Sequence, residues 1–273
     1  MKLFSYGDSW TEGTGADIGK ETSLKPFPEK LREFRIHKSY TYHLSNLLNC
    51  EFVNNGKDGC SNNSVFNDVI TDVKSNKITS SDIVIIGWSS TLRDSVPFFP
   101  TNEWHTWNNN WLSEINKNEF LNYNISNNES YNDFLINYKA FFISNLFNQN
   151  YYNIINQNYI IFLQELFNHY KINYIFCDAF DYMIHNLKSS DSKLDIISTD
   201  RYWGFCKKTF RSLLLENDND MLWETGNKPT DLYSEQHPSE IGYKLIANEL
   251  FHFIKNNKIY NINTLNKKSP KII

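Results

Sequence analysis

The chain has 273 residues, enough for one domain with a large buried core. Hydrophobic residues make up 40% and charged residues 21%, a balance typical of a globular protein. The formal net charge is −4, and Lys and Arg form no block beyond the pair at 267–268, which argues against a nucleic-acid-binding protein. No apolar run approaches the roughly 20 residues that span a bilayer, so we expect no membrane segment.

The beginning of the chain and its cysteines indicate a cytoplasmic protein. The segment 1–10 holds one lysine and runs directly into a strand-like stretch, which is unlike a signal peptide. The 4 cysteines show neither CxxC pairing nor zinc spacing, so we expect reduced thiols and no metal site. A phage-encoded protein made in a bacterial cytoplasm would share these features.

Strand-like and helix-like segments alternate along the chain. Short apolar or β-branched runs predict strands at 2–6, 51–53, 82–87 and 172–177. Helical spacing of apolar residues predicts helices at 40–48, around 160–170 and after residue 238, the last with Ser239 as its N-cap. Because strands separated by helices form βαβ units, this order predicts an α/β fold with a parallel sheet.

Residues 95–155 interrupt this alternation. They contain Trp104, Trp107 and Trp111 among many asparagines, followed by a helix-like aromatic stretch. We expect an insertion over one edge of the sheet, whose aromatic rings stack on a sugar, line an acyl pocket or form a small core of their own. Residues 1–260 then form a single domain, and 261–273 form a polar tail.

Four polar segments are expected to meet at one rim of the sheet, because open α/β sheets place their sites at the carboxyl ends of the strands. They are Gly-Asp-Ser-Trp at 7–10, Asn-Gly-Lys-Asp-Gly at 55–59, Gly-Trp-Ser-Ser at 87–90 and Glu-Gln-His-Pro at 235–238. This convergence brings Ser9 towards His237. A serine hydroxyl attacks a carbonyl only with a base beside it, so Ser9 is the predicted nucleophile and His237 its base.

The same rim offers donors for the oxyanion that such an attack creates. Ser9, at a strand-to-helix turn, can present its own backbone N–H. Gly59 can bring its N–H close to substrate because it has no side chain in the way. Ser89 can add a hydroxyl donor. These three residues are the predicted oxyanion hole.

Three further residues of the rim are candidates to contact substrate, namely Trp10, Trp88 and Arg93. Arg93 can bind an acidic group of the substrate or pair structurally with Asp94. Asp8 is expected to make structural hydrogen bonds within its loop.

Taken together, the four segments resemble the motif blocks of the SGNH (GDSL-type) hydrolases. They occur in the family's order and span residues 7–242, and Gly59 matches the family's oxyanion-hole glycine. The third segment, followed by Arg93, is similar to a family subset with Trp-Ser/Thr there. The resemblance implies a three-layer α/β/α sandwich with a flavodoxin-like, five-stranded parallel sheet. It also implies hydrolysis of acyl esters without a metal or an organic cofactor.

The sequence departs from the family pattern at two positions. The third block usually carries an Asn that donates to the oxyanion, and Ser89 stands in its place. The family usually has an Asp three residues before the histidine, where this chain has Ser234. Glu235 is our first choice for the residue that orients His237, and Asp231 the second. A Ser–His dyad aided by a backbone carbonyl is a further alternative.

The sequence therefore predicts a serine esterase that hydrolyses a small acyl ester through an acyl-enzyme, with O-acetyl groups on carbohydrate as one substrate class. Two other functions stay open. An O-acyltransferase would use the same site and pass the acyl group to a sugar or lipid hydroxyl. A non-catalytic glycan-binding relative would keep the fold without the chemistry. The expected partner is a small-molecule or glycan ester, and the sequence does not indicate an oligomeric state.

Overall fold

The computed structural model describes residues 1–17, 28–90, 93–98, 103–108, 149–180, 194–217, 233–234 and 237–260. The helices in these ranges are α1 (Ser9–Glu12), α2 (Pro28–Ile36), α3 (Tyr40–Leu48), α4 (Asn62–Lys74), α5 (Gln149–Tyr170), α6 (Phe210–Asn217) and α7 (Glu240–Asn256). The strands are β1 (Lys2–Tyr6), β2 (Glu51–Asn54), β3 (Ile83–Trp88), β4 (Arg93–Phe98), β5 (Glu103–Asn108), β6 (Asn173–Asp178), β7 (Tyr233–Ser234) and β8 (His237–Pro238).

Four parallel strands form the central sheet in the order β2-β1-β3-β6. Strand β1 pairs on one side with β2 and on the other with β3, so that Leu3 lies between Phe52 and Ile83. Strand β3 is buried along its whole length, as its continuous apolar sequence predicts for a strand covered on both faces. The four strands predicted from the sequence are confirmed, each to within one residue at either end.

The family resemblance implied a fifth strand, and the described part of the chain has only four in this sheet. Beyond β6 there is a single parallel bridge between Phe176 and Tyr202, where the N–H of Trp203 donates to the Phe176 carbonyl at 2.8 Å. The chain then turns at Gly204, whose φ of +73° is incompatible with an extended strand. In the described residues, the pairing beside β6 therefore stops at this one bridge and does not extend into a fifth strand.

Helices cover both faces of the sheet and give the predicted α/β/α layers. Helices α3, α6 and α7 bury Leu44, Leu213 and Ile246 against one face. Helices α4 and α5 bury Val69 and Leu163 against the other. The side chains of β3 alternate between these two cores, because successive residues of a strand point to opposite faces.

The helix predictions are confirmed with one exception. Helix α3 has the predicted bounds, and Ser239 caps α7 by accepting the N–H of Gly242 at 3.2 Å. In α5, Ile160 and Phe167 are fully buried as its apolar spacing predicts. Tyr170 was expected on the same face but is 47% exposed, because it is the last residue of the helix.

The predicted insertion at 95–155 contains most of the antiparallel pair β4–β5 and the first turns of α5. The side chains of Trp104 and Trp107, the whole of Trp111 and the tail at 261–273 lie outside the described residues. Within the described ranges, no helix is both long enough and apolar enough to cross a membrane.

Candidate active site

Ser9 and His237, 228 positions apart in the chain, are in contact at the carboxyl edge of the sheet. Asp8 caps α1 by accepting the N–H of Trp10 at 3.0 Å, which places Ser9 at the first helical position directly after β1. The Oγ of Ser9 lies 2.9 Å from Nε2 of His237. This separation is that of a hydrogen bond and is short enough for proton transfer from the hydroxyl to the imidazole.

Two features of the backbone position His237. In the two-stranded pair β7–β8 it lies opposite Ser234. On another side it is in close contact with Gly15, where an added Cβ would lie 2.6 Å from Cβ of His237 and 2.8 Å from the carbonyl oxygen of Pro238. Gly15 has a φ of +93°, a conformation that favours glycine. Gly15 is a site residue that the motif comparison missed.

Glu235 and Asp231, the two candidates for orienting His237, lie outside the described residues. Ser234, which stands where the family usually has its Asp, faces His237 through the backbone pairing of β7 and β8. The identity of the orienting group therefore stays a prediction. Within the described ranges, no group of three or more His, Cys, Asp or Glu side chains is arranged to hold a metal ion.

Asp8 is fully buried, and three donors converge on its carboxylate. Besides the Trp10 N–H, these are the hydroxyl of Ser89 at 2.8 Å and Nη1 of Arg93 at 2.9 Å. Burial raises the pKa of Asp8, while Arg93 and the hydrogen bonds to Ser89 and Trp10 act in the opposite direction. The network links the first block to the third. The side chain of Asp94, the other partner considered for Arg93, is outside the described residues.

The structure gives the Ser89 hydroxyl a different role from that of an oxyanion donor. Its single hydrogen is donated to Asp8, it accepts from Nη1 of Arg93 at 3.0 Å, and the residue is 1% exposed. The Ser89 backbone is held by Asn62, whose Nδ2 donates to the Ser89 carbonyl at 3.1 Å and whose Oδ1 accepts the Ser89 N–H at 2.8 Å. Asn62 was not anticipated, because its sequence position does not reveal a partner 27 residues away.

Trp10 and Trp88, predicted to contact substrate, are core residues in this structure. Both are 0% exposed, since Trp88 ends the buried strand β3 and Trp10 packs at 4.9 Å against the ring of Phe180. Neither ring presents a surface to a ligand. Arg93 lies with its guanidinium carbon 5.2 Å from the centre of the Phe180 ring, so it is stacked on that ring as well as paired with Asp8.

The loop that carries Gly59 is attached to the turn between β1 and α1, directly before Ser9. The N–H of Lys57 donates to the carbonyl of Gly7 at 3.0 Å. Gly59 itself has a φ of +71°, and an added Cβ there would meet no atom within 4 Å. The α-carbon of Gly59 therefore faces open space, which allows close approach of a ligand to the backbone.

Comparisons with known proteins show likeness to esterases at low sequence identity. No family model matches the sequence, and no curated protein matches it. Among solved structures, the chain is similar to a member of the lipolytic G-D-S-L family from Veillonella parvula, with 14% identity and a TM-score of 0.44 over 92% of this chain and 97% of that one. It is also similar to a catalytic mutant of an acetylxylan esterase from Geobacillus stearothermophilus, with 14% identity and a TM-score of 0.46 over 93% of each chain. At these identities, the case for a function depends on this chain's own residues.

Proposed function

We propose that the chain is a serine esterase of the SGNH type that cleaves a small acyl ester through an acyl-enzyme on Ser9. The observation that carries the proposal is the 2.9 Å contact between Ser9 Oγ and His237 Nε2. In the first half of the reaction, neutral His237 accepts the Ser9 proton as Oγ bonds to the carbonyl carbon, and the proton then passes to the leaving alcohol. In the second half, His237 takes a proton from water as the water oxygen bonds to the acyl carbon. The acyl–Oγ bond then breaks, the proton passes from His237 to Ser9 Oγ, and the acid is released.

The tetrahedral intermediate carries a negative oxygen, and we propose two backbone donors for it. Ser9 is the first residue of α1, where a helix leaves its N–H groups without intrahelical acceptors. Gly59 lies on the loop bound to the end of β1, and the space beside its α-carbon is open. Ser89 is not included, because its hydroxyl hydrogen is donated to Asp8. Instead, Ser89 and Arg93 are proposed to stabilise the loop that carries the nucleophile.

The proposed substrate class is an O-acyl, and in particular an O-acetyl, ester of a carbohydrate. Its support is the composition of residues 95–155, which contain Trp104, Trp107 and Trp111, since ligand sites are rich in aromatic side chains. Orientation of His237 is assigned to Glu235 first and to Asp231 second.

The test is the variant Ser9→Ala, assayed with p-nitrophenyl acetate and with a fluorophosphonate probe. We expect loss of hydrolysis and of labelling, because both require an activated Ser9 hydroxyl. The matched control is Ser45→Ala, since Ser45 is a buried serine of α3 whose hydroxyl donates to the Tyr42 carbonyl at 2.8 Å. Full hydrolysis by Ser9→Ala would overturn the proposal.

Two further results separate the alternative functions. Transfer of the acyl group to an added sugar, in preference to water, would identify an acyltransferase that uses the same Ser9. Retention of glycans by a wild-type chain that neither hydrolyses esters nor accepts the fluorophosphonate would identify a binding protein. Each of these outcomes contradicts the esterase proposal in a different way.

A further inference from the structure

Glu12 reaches from the nucleophile's helix to the loop that carries Gly59. It is the last residue of α1 and is 5% exposed. Its Oε2 accepts the backbone N–H of Asp58, the residue before Gly59, at 2.8 Å. Its Oε1 lies 3.5 Å from Nε of Arg32 on α2. A buried carboxylate thus connects α1, the helix that begins at Ser9, to the segment at 55–59.

Arg32 makes a second attachment to the same loop. Its Nη2 donates to the carbonyl of Gly56 at 3.1 Å. The N–H of Lys57 donates to the carbonyl of Gly7, and the N–H of Cys60 donates to the carbonyl of Lys57. Consecutive peptide groups before Gly59 are therefore held from three elements, α1, α2 and the end of β1.

The loop also packs on the α1 backbone without space for a side chain. A Cβ added to Gly56 would lie 2.3 Å from the nitrogen of Glu12 and 2.7 Å from the carbonyl carbon of Thr11. Only glycine allows this approach. Because Gly56 packs directly on the α1 backbone, the position of α1 determines how far the Gly59 loop lies from Ser9.

The charge of Glu12 needs an explanation beyond packing. Burial raises the pKa of Glu12, while the Asp58 N–H and Arg32 lower it. A buried carboxylate is a costly way to fill space, and polar groups retained in such positions can serve structural specificity instead. The group that Glu12 holds, the peptide next to Gly59, needs precise placement if its neighbour donates to an oxyanion.

We propose that Glu12 is a positioning residue, which fixes the Gly59 N–H relative to Ser9 through its hydrogen bond to Asp58 and its contact with Arg32. The inference rests on the proposed function, because it concerns the oxyanion donor of that same site. It assigns no contact between Glu12 and substrate.

The test compares Glu12→Ala and Glu12→Gln with Asp68→Asn. Alanine removes the acceptor for the Asp58 N–H, whereas glutamine keeps an acceptor and loses only the charge. Asp68→Asn is the matched control, because Asp68 on α4 pairs with Lys57 of the same loop at 2.6 Å, with side chains that are 35% and 53% exposed. Exposed pairs of this kind contribute little.

We expect Glu12→Ala to lower kcat about 10-fold or more while KM changes less than about 3-fold, because an oxyanion exists only along the reaction path. Glu12→Gln should recover most of the loss, and Asp68→Asn should stay near the wild type. A rise in KM alone, or equal loss in both Glu12 variants, would overturn the proposal.

Amide hydrogen exchange at residues 58–60 gives a readout that does not depend on activity. Faster exchange in Glu12→Ala and unchanged exchange in Asp68→Asn are expected, and unchanged exchange in both would overturn the positioning role.

If the wild type neither hydrolyses esters nor reacts with a fluorophosphonate, the proposed function fails while the exchange result still tests Glu12. If Glu12→Ala does not fold, Arg32→Met serves instead, since the Arg32 side chain is 47% exposed. Unchanged kcat and unchanged exchange in that variant would also contradict the proposal.

Discussion

The carboxylate of Asp8 and the guanidinium of Arg93 form an ion pair at 2.9 Å, with side chains that are 0% and 18% exposed. Asp8 immediately precedes Ser9, so a residue of β4 pairs with a carboxylate at the base of the turn that carries the proposed nucleophile. Isolated buried charges are strongly unfavourable, and removal of one partner of such a pair leaves the other uncompensated.

Arg93→Met should therefore destabilise the fold by about 3–5 kcal/mol near neutral pH, since the buried Asp8 carboxyl loses its counter-ion. Urea denaturation of the variant and the wild type measures this difference. The matched control is the double variant Asp8→Asn with Arg93→Met, which removes both charges and should recover a large part of the loss. A single variant as stable as the wild type would contradict the importance of the pair.

The same variant has a predicted pH dependence. Burial raises the pKa of Asp8 and Arg93 opposes that effect, so removal of Arg93 raises this pKa further. Between the ordinary carboxyl pKa and the raised value, the folded state then holds a proton that the unfolded chain has lost. Stability falls with rising pH wherever the folded state binds more protons. The deficit of Arg93→Met should accordingly shrink as the pH is lowered towards the ordinary carboxyl pKa, and a constant deficit would contradict this origin.

Gly15→Ala should lower kcat/KM strongly and lower the free energy of unfolding moderately. Its φ of +93° and the 2.6 Å approach of an added Cβ to His237 mean that the variant must displace the imidazole. Backbone strain of this kind costs about 1–3 kcal/mol, and a displacement of about 1 Å at a catalytic group can cost about 10²-fold in rate. The measurement is kcat/KM at a temperature where the variant is fully folded.

Gly204→Ala is the control for that experiment. Gly204 has a φ of +73°, and an added Cβ would lie 2.3 Å from the carbonyl oxygen of Lys208, so the strain is similar but His237 is not touched. It should lose stability and keep its rate. Equal rate losses in both variants would show that the effect of Gly15→Ala is not specific to His237.

Much of the fold was predictable because its signals are local. Strand β3 and helices α3 and α7 are marked by apolar runs, apolar spacing or N-cap residues within a few positions. Helix α1 is only four residues long, too short for periodicity, and α2 is largely polar. Within the described residues the implied fifth strand is reduced to one bridge beyond β6, because pairing there depends on how the chain turns at Gly204, which the resemblance does not encode.

The site was predictable in outline and not in its supporting contacts. The rule that polar loops converge at the carboxyl ends of parallel strands was sufficient to pair Ser9 with His237. It could not show whether Trp10 faces a cleft or the core, because the direction of a side chain in so short a helix is set by tertiary packing. Glu12 and Asn62 act on peptide groups 46 and 27 residues away, and separations of that kind are set by packing.

Ser89→Ala distinguishes a structural hydroxyl from an oxyanion donor. The Ser89 hydroxyl donates to Asp8 at 2.8 Å and accepts from Arg93 at 3.0 Å, so its removal should cost about 1–3 kcal/mol of stability. We expect kcat to fall less than about 10-fold, because the two proposed backbone donors, the N–H groups of Ser9 and Gly59, stay in place. A loss of about 10²–10³ in kcat with KM unchanged would instead restore Ser89 to the oxyanion hole.

Asn62→Ala should be among the more damaging changes outside the reacting groups. The amide is 1% exposed and satisfies both backbone groups of Ser89, and its Nδ2 also donates to Oδ1 of Asn156 at 3.1 Å. Each buried group left unpaired costs about 1–3 kcal/mol, so urea denaturation should show a loss of several kcal/mol. Asn62→Asp should lose at least as much, because it buries an unpaired charge and sets a carboxylate oxygen against the Ser89 carbonyl and Asn156 Oδ1. Asn67→Ala provides the control, because the amide of Asn67 donates within α4 to the backbone and side-chain oxygens of Asn63. Equal stability of the Asn62 and Asn67 variants would mean that the third block does not depend on Asn62 for its place beside Asp8.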